Sequence, residues 1–295
     1  RLPWFTGSLN GLLLLLGGAF AVVGGRMCDL LGRKTTLVVG LCGAVLTGLV
    51  FRTGSTLLLG LLVVGIGAGT GPWSTAGQSF LIHAVPGRRL GLGGALFFLT
   101  NTAGGALGSL VTGLAKERCS YAQIGAAMAV GLGGAVLLAV LLLPGGDRAR
   151  APRALSAAPG RQRLALWSAY RPLFGRREIQ LLVGLRFLIT SFWGMATLIM
   201  PLLVFRASAS SGMAAAESMP AYYASVSLSV AAACQLLTGV LADRYGRRTP
   251  LLVAAGGFAA SAGALALSWG SLPSLFVGGT ALTGTAWAVS TLIPK

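Results

Sequence analysis

Two short stretches of the chain carry most of the ionic chemistry it can do. In the first, Gly25, Asp29, Gly32, Arg33 and Lys34 stand in the pattern G-x-x-x-D-x-x-G-R-K. In the second, Gly239, Asp243, Arg244, Gly246, Arg247 and Arg248 repeat it with one further arginine directly after the acid. A carboxylate held this close to cations, where helices begin and end, can share its charge with guanidinium groups and with the free amides of a helix N-terminus. That chemistry makes and breaks a polar contact; it does not cut or form covalent bonds. The glycines serve two needs: Gly25 and Gly239 allow close packing, and Gly32 and Gly246 allow a tight turn.

A second set of groups lies inside long apolar runs: Arg186, Gln78, Asn101, Gln235, Trp73, Trp193 and Trp287. An ionisable group in such a run is costly and marks a functional position by default. Arg186 would suit an anionic group on a solute, or could snorkel to the near end of its run. The three amides suit hydrogen bonds between helices or to a solute, and the tryptophans packing or an interfacial belt. The six acids, Asp29, Glu117, Asp147, Glu178, Glu217 and Asp243, all fall between runs or at their edges. With one histidine, His83, and no acid inside a run, the chain has no plausible triad or metal centre, so an enzyme is not expected and no cofactor is implied. Cys28, Cys42, Cys119 and Cys234 form no C-x-x-C pair and read as small apolar fillers.

The elements that must position these groups follow from composition. Of 295 residues, 55% are hydrophobic and 10% charged, against about 25% charged in a soluble domain. Residues 2–25, 35–51, 53–87, 90–115, 119–146, 187–205, 218–242 and 249–294 hold no Lys, Arg, Asp or Glu. A bilayer core of about 30 Å needs about 20 apolar residues per helix, so this is an all-α polytopic membrane protein. Nine spans are expected, at about 7–25, 35–52, 55–82, 90–115, 120–144, 179–205, 219–242, 249–269 and 272–294. Glycine spacings such as Gly65-x-Gly67-x-Gly69 and Gly104-x3-Gly108 are expected to bring helices close. The polar stretch 145–178 reads as a linker with a short helix near Leu164–Tyr170, dividing the chain into bundles 1–144 and 179–295.

The net charge of +17 would suggest nucleic acid in a soluble protein, but its placement argues for topology. Seventeen of the 23 basic residues fall in the segments after the odd-numbered spans. By the positive-inside rule, the loops 26–34, 86–89, 145–178 and 243–248 are expected in the cytoplasm. The expected partners are therefore a small-molecule solute and the lipid bilayer, with no nucleic acid, for a monomer; which membrane is open.

The two motifs are related by an offset of 214 residues, and the same offset pairs Gly43 with Gly257, Gly65 with Gly279 and Trp73 with Trp287. An internal repeat of this kind, with its charged motif between helices both times, resembles the major facilitator superfamily, whose loop signature is G-x-x-x-D-x-x-G-R-[KR]. The resemblance implies twelve helices in two pseudo-symmetric six-helix bundles joined by a central loop. The present chain would cover family helices 2 to 10 and read as a fragment. It implies secondary active transport of a small organic solute by alternating access, with the motif as a gate. By pseudo-symmetry the start of the 90–115 helix is the expected partner of Asp243, with Arg244, Arg247 and Arg248 around it, and family helix 11 the partner of Asp29.

Two weaker likenesses point inward. His83-Ala-Val-Pro86-Gly87-Arg88-Arg89-Leu-Gly91 has histidine where the family often has an acid, and Gly104-x3-Gly108-Ser109-x2-Thr112-Gly113 is similar to a pattern of drug/proton antiporters with Ser109 in place of proline. An arginine common in the family's helix 4 would fall at Leu61, and Leu30 follows Asp29 where arginine is common. Proton-coupled antiport, facilitative uniport and a non-transporting receptor or scaffold all remain open at this point.

Overall fold

The computed structural model describes residues 3–86, 90–116, 118–144, 175–213, 216–246, 248–267 and 271–292. They form helices α1 (Pro3–Leu31), α2 (Arg33–Val45), α3 (Thr47–Val50), α4 (Thr56–Ala84), α5 (Leu90–Lys116), α6 (Tyr121–Leu142), α7 (Arg177–Ser210), α8 (Met219–Tyr245), α9 (Arg248–Leu267) and α10 (Leu272–Leu292), with no strand among the described residues. Among the described residues, seven stretches are long and apolar enough to cross a membrane: Gly7–Leu31, Arg33–Val50, Thr56–Ala84, Leu92–Lys116, Tyr121–Leu142, Met219–Tyr245 and Arg248–Leu267. The other two expected spans are present as α7 and α10 without being among these seven. Leucines such as Leu15, Leu57, Leu142 and Leu267 stand exposed on these helices, as side chains that face lipid must.

Contacts divide the helices into two compact units, residues 1–84 with 119–176, and 85–118 with 177–295. This differs from division by chain order, because α5 packs along α8. Most of the linker, 145–174, lies outside the described residues, including the expected short helix at Leu164–Tyr170.

In the first unit α4 packs against both α1 and α2, and α6 against α2 and α3. Backbone contact replaces bulky side chains here. A Cβ at Gly24 would meet the Cα of Pro72, one at Gly40 the backbone of Trp73, one at Gly43 the Cα of Gly69, and one at Gly48 the carbonyl of Gly125. Small residues give membrane helices their packing energy because lipid removes the hydrophobic drive between them. Pro72 sits inside α4, tolerable where neighbours satisfy the freed backbone. The N-terminus of α6 carries a capping box: the Gln123 amide donates to Ser120 Oγ at 3.3 Å and the Ser120 amide to Gln123 Oε1 at 2.9 Å.

The second unit reproduces that helix triple. α8, α9 and α10 correspond to α1, α2–α3 and α4 in the repeat, and α10 again packs against the other two. Here side chains fill the space: Met200 and Val204 of α7, Tyr223 of α8, Leu265 of α9 and Leu275 of α10 form a buried cluster. The ring of Phe276 meets Tyr223 edge-on at 5.4 Å.

Two expectations are corrected. The helices run past the expected ends at 25 and 242, to Leu31 and Tyr245, because nothing in the motif breaks a helix before its second glycine. Asp29 and Asp243 are thus in last helical turns and not in loops. The expected close approach at Gly104-x3-Gly108 is absent among the described residues, since a Cβ at either glycine would meet nothing within 4 Å. α5 instead turns Gly105 toward Leu228 and Gly113 toward Ala221 and Tyr222 of α8.

Candidate functional site

Each motif is built as a helix end, a turn that contains a glycine and a helix start; Gly32 alone separates α1 from α2, and Gly246 follows the end of α8. Gly32 has φ 87° and Gly246 φ 75°, a region open to glycine and costly to any residue with a Cβ. They occupy the same place in the repeat, so the turn is duplicated with the sequence. Thr36 in the first turn of α2 is buried and donates its hydroxyl to the Gly32 carbonyl at 2.9 Å.

A carboxylate in the last turn of a helix faces the negative end of that helix's dipole and needs a compensating partner. For Asp243 the partner is the start of α5: the Leu92 amide donates to Asp243 Oδ2 at 2.7 Å. Leu92 lies in the first turn of α5, where amides have no intrahelical acceptor. The positive end of α5 and the negative end of α8 are therefore bridged by one side chain. Arg244 does not turn to this carboxylate; its guanidinium lies over the ring of Tyr245, 5.4 Å from the centroid. Arg248 is exposed at the start of α9, and Arg247 lies outside the described residues. Gly239, one turn earlier, is buried.

In the first unit Asp29 is exposed in the last turn of α1 and Gly25 half-buried. Lys34 is committed elsewhere: its Nζ donates to the Leu143 carbonyl at 2.7 Å, just beyond α6. A cation on the last carbonyls of a helix is favoured by both hydrogen bonding and dipole. Arg33 stands half-buried between Gly32 and Lys34.

Of the interior candidates, Gln235 is fully buried. It meets Thr102 of α5, whose hydroxyl donates to Gln235 Oε1 at 2.8 Å, while Gln235 Nε2 has no partner among the described residues. Asn101, the expected polar group of α5, is exposed; its neighbour Thr102 is the one turned to α8. Gln78 is half-buried in α4, Trp73 lies at the exposed margin of the same helix, and Trp287 is half-buried in α10. The side chains of Arg186 and Trp193 are outside the described ones, so only their place in α7 is known. His83 is tied to its own helix, with Nδ1 2.9 Å from the Ser79 carbonyl. All four cysteines are free.

Two further polar contacts escaped the sequence reading. At the far end of the α5–α8 pair Lys116 Nζ lies 2.7 Å from Glu217 Oε2 and 3.4 Å from the Glu217 carbonyl, and this cation holds the Glu217 carboxyl below its ordinary range. Between α8 and α10, Ser227 and Thr280 hydroxyls are 3.1 Å apart, near the buried Tyr223 hydroxyl. Serine and threonine are too common in this chain to stand out by type. The register of α5 on α8, once Asp243 was set against the start of α5, was the signal that would have found Thr102 and Lys116. Among the described residues no group of three His, Cys, Asp or Glu is placed to hold a metal.

These features, a duplicated helix triple with a glycine turn and a charged helix end in each copy, agree with what comparison of the sequence finds. No curated protein sequence matches the chain. A family model, that of the Major Facilitator Superfamily, matches residues 5–294. The chain is a member of the Major Facilitator Superfamily, a family of membrane transporters.

Proposed function

We propose that the protein is a secondary active transporter that moves a small organic solute by alternating access, with the Asp243 motif as a gate. The contact between Asp243 and the Leu92 amide carries this reading. It joins two helix ends through a group that water can replace, which is what a contact broken and remade in each cycle needs. A carboxylate at a helix N-terminus contributes about 0.3–1 kcal/mol when exposed, enough to bias two states and too little to lock one. Asp29, Arg33 and Lys34 form the corresponding motif of the first bundle, and the basic segments 26–34, 86–89, 145–178 and 243–248 face the cytoplasm. Arg186, Gln78, Asn101, Gln235, Trp73, Trp193 and Trp287 are the residues proposed along the solute pathway. The bundles are those of chain order, 1–144 and 179–295, joined by 145–178.

Proton-coupled antiport is the finer form of this proposal, supported by the likeness of Gly104-x3-Gly108-Ser109-x2-Thr112-Gly113 to drug/proton antiporters. Among the described interior residues there is no carboxylate, so a coupling proton would need a group elsewhere in the protein.

Counterflow in proteoliposomes tests the reading, with vesicles preloaded in turn with sugars, amino acids, organic anions and organic cations. Uptake above empty vesicles for one class, altered in Asp243→Asn at equal protein content, is the expected result. No flux with any class, from protein that is folded and inserted, would favour a receptor or scaffold instead.

A further inference from the structure

α5 and α8 lie antiparallel, and polar contacts mark one register along their whole length. Leu92 meets Asp243, Thr102 meets Gln235 and Lys116 meets Glu217. Between the last two, Gly105 faces Leu228 and Gly113 faces Ala221. Each step forward on α5 is matched by a nearly equal step back on α8. The chain has six acidic residues, and two of them thus hold opposite ends of one helix, Asp243 the amide end of α5 and Glu217 the lysine at its other end.

The three contacts differ in how easily they part. Asp243 is exposed, and the side chain of Glu217 is 75% exposed with that of Lys116 at 21%. Water can take the place of the partner at both ends, so each end opens cheaply. Gln235 and Thr102 are almost wholly inaccessible, at 0% and 1%. Parting them would leave the buried Gln235 oxygen without a donor, which is the expensive case, while the Thr102 hydroxyl could still reach the Phe98 and Leu99 carbonyls of its own helix, each at 3.1 Å.

We propose that Lys116 and Glu217 form a second clasp at the membrane face opposite Asp243, and that Thr102–Gln235 is the fulcrum between the two. This deepens the alternating-access reading and rests on it for its purpose. The pair α5–α8 parts at one end while the centre and the other end stay closed. Lys116, Glu217 and Thr102 are positioning residues in this scheme and touch no solute.

Spin-label distances in lipid nanodiscs provide the test, using full-length protein with Cys28, Cys42, Cys119 and Cys234 replaced by serine. One label pair at the exposed positions Val111 and Val226 reads the Glu217 end, and another at Leu96 and Val240 reads the Asp243 end. Lys116→Ala and the near-isosteric Glu217→Gln should each raise the longer-distance population at the Glu217 end by about two- to fivefold, the shift an exposed pair can exert, without lengthening the other end. The charge swap Lys116→Glu with Glu217→Lys should return the parent distribution, which a purely local structural defect would not do. Distributions that overlay the parent in both single variants, or a swap that behaves like the singles, would overturn the second clasp. The readout is a distance and not a flux. Absent counterflow with responsive distances removes the carrier reading and leaves the clasp, and the reverse result does the opposite.

Discussion

Asp243 and Leu92, 151 residues apart in sequence, are joined at 2.7 Å by a hydrogen bond from a helix-start amide to a helix-end carboxylate. The positive end of α5 thereby compensates a carboxylate that stands at the unfavourable, negative end of its own helix. Asp243→Asn keeps an acceptor oxygen and loses the charge. Since a charge-assisted bond is about twice as strong as a neutral one, the loss is about 0.5–1 kcal/mol, or two- to fivefold in the equilibrium between open and closed ends. The Leu96–Val240 spin-label distance is the measurement, and a parent-like distribution in this variant removes the role of the charge.

The Thr102–Gln235 pair gives a separate prediction about stability. Thr102→Val leaves the Gln235 oxygen buried without a donor and should cost about 1–3 kcal/mol. Adding Gln235→Leu removes the orphaned amide, and the double variant should recover most of that loss. Thermal unfolding in detergent by tryptophan fluorescence decides it: a double variant less stable than Thr102→Val alone contradicts the pairing.

Gly32→Ala and Gly246→Ala should be destabilising by similar amounts, about 1–2 kcal/mol each, because both glycines have φ near +80°. A Cβ at Gly246 meets open space, so the cost there is conformational and not steric. Tolerance of alanine at Gly246, read from the same melts, would show that the turn does not hold that φ.

Gly24 and Gly104 separate packing glycines from bystanders. A Cβ at Gly24 would collide with the Pro72 backbone, whereas one at Gly104 has open space. Gly24→Ala should lower stability by about 1–3 kcal/mol. Gly104→Ala should be neutral or raise it by up to about 1 kcal/mol through helix propensity. Equal melting points for the two variants would mean that α1 and α4 do not cross where described.

Acid should release the Lys116–Glu217 contact first. Lys116 lowers the Glu217 pKa from its ordinary 4.5, so the stabilisation is fully present above that value and is lost as pH falls through the lower, folded-state pKa. In the parent, the Val111–Val226 distance should lengthen only below about pH 4.5, and in Glu217→Gln it should be lengthened at neutral pH and insensitive to acid. An acid-induced lengthening that persists unchanged in Glu217→Gln would show that this carboxylate does not hold this end.

Much of this was legible in the residues alone. The charge-free runs set the class and the helices, because lipid allows a spanning backbone almost no other form. The repeat at an offset of 214 located both glycine turns, since only glycine takes the backbone angle found at Gly32 and Gly246. The pseudo-symmetry implied by the family resemblance also pointed to the start of α5 as the partner of Asp243, where the Leu92 amide stands.

Which face of each helix meets which neighbour was decided by the tertiary structure. Composition nearly uniform in Leu, Ala and Gly gives α5 no periodic polar stripe, so Asn101 and Thr102, or Gly104 and Gly105, are equivalent as letters. The glycine crossings of α1, α2 and α4 and the rotation of α5 against α8 choose between them. That choice buries Thr102 on Gln235 and carries Lys116 to Glu217. Sequence fixes what a helix must be in a membrane; only packing fixes which way it turns.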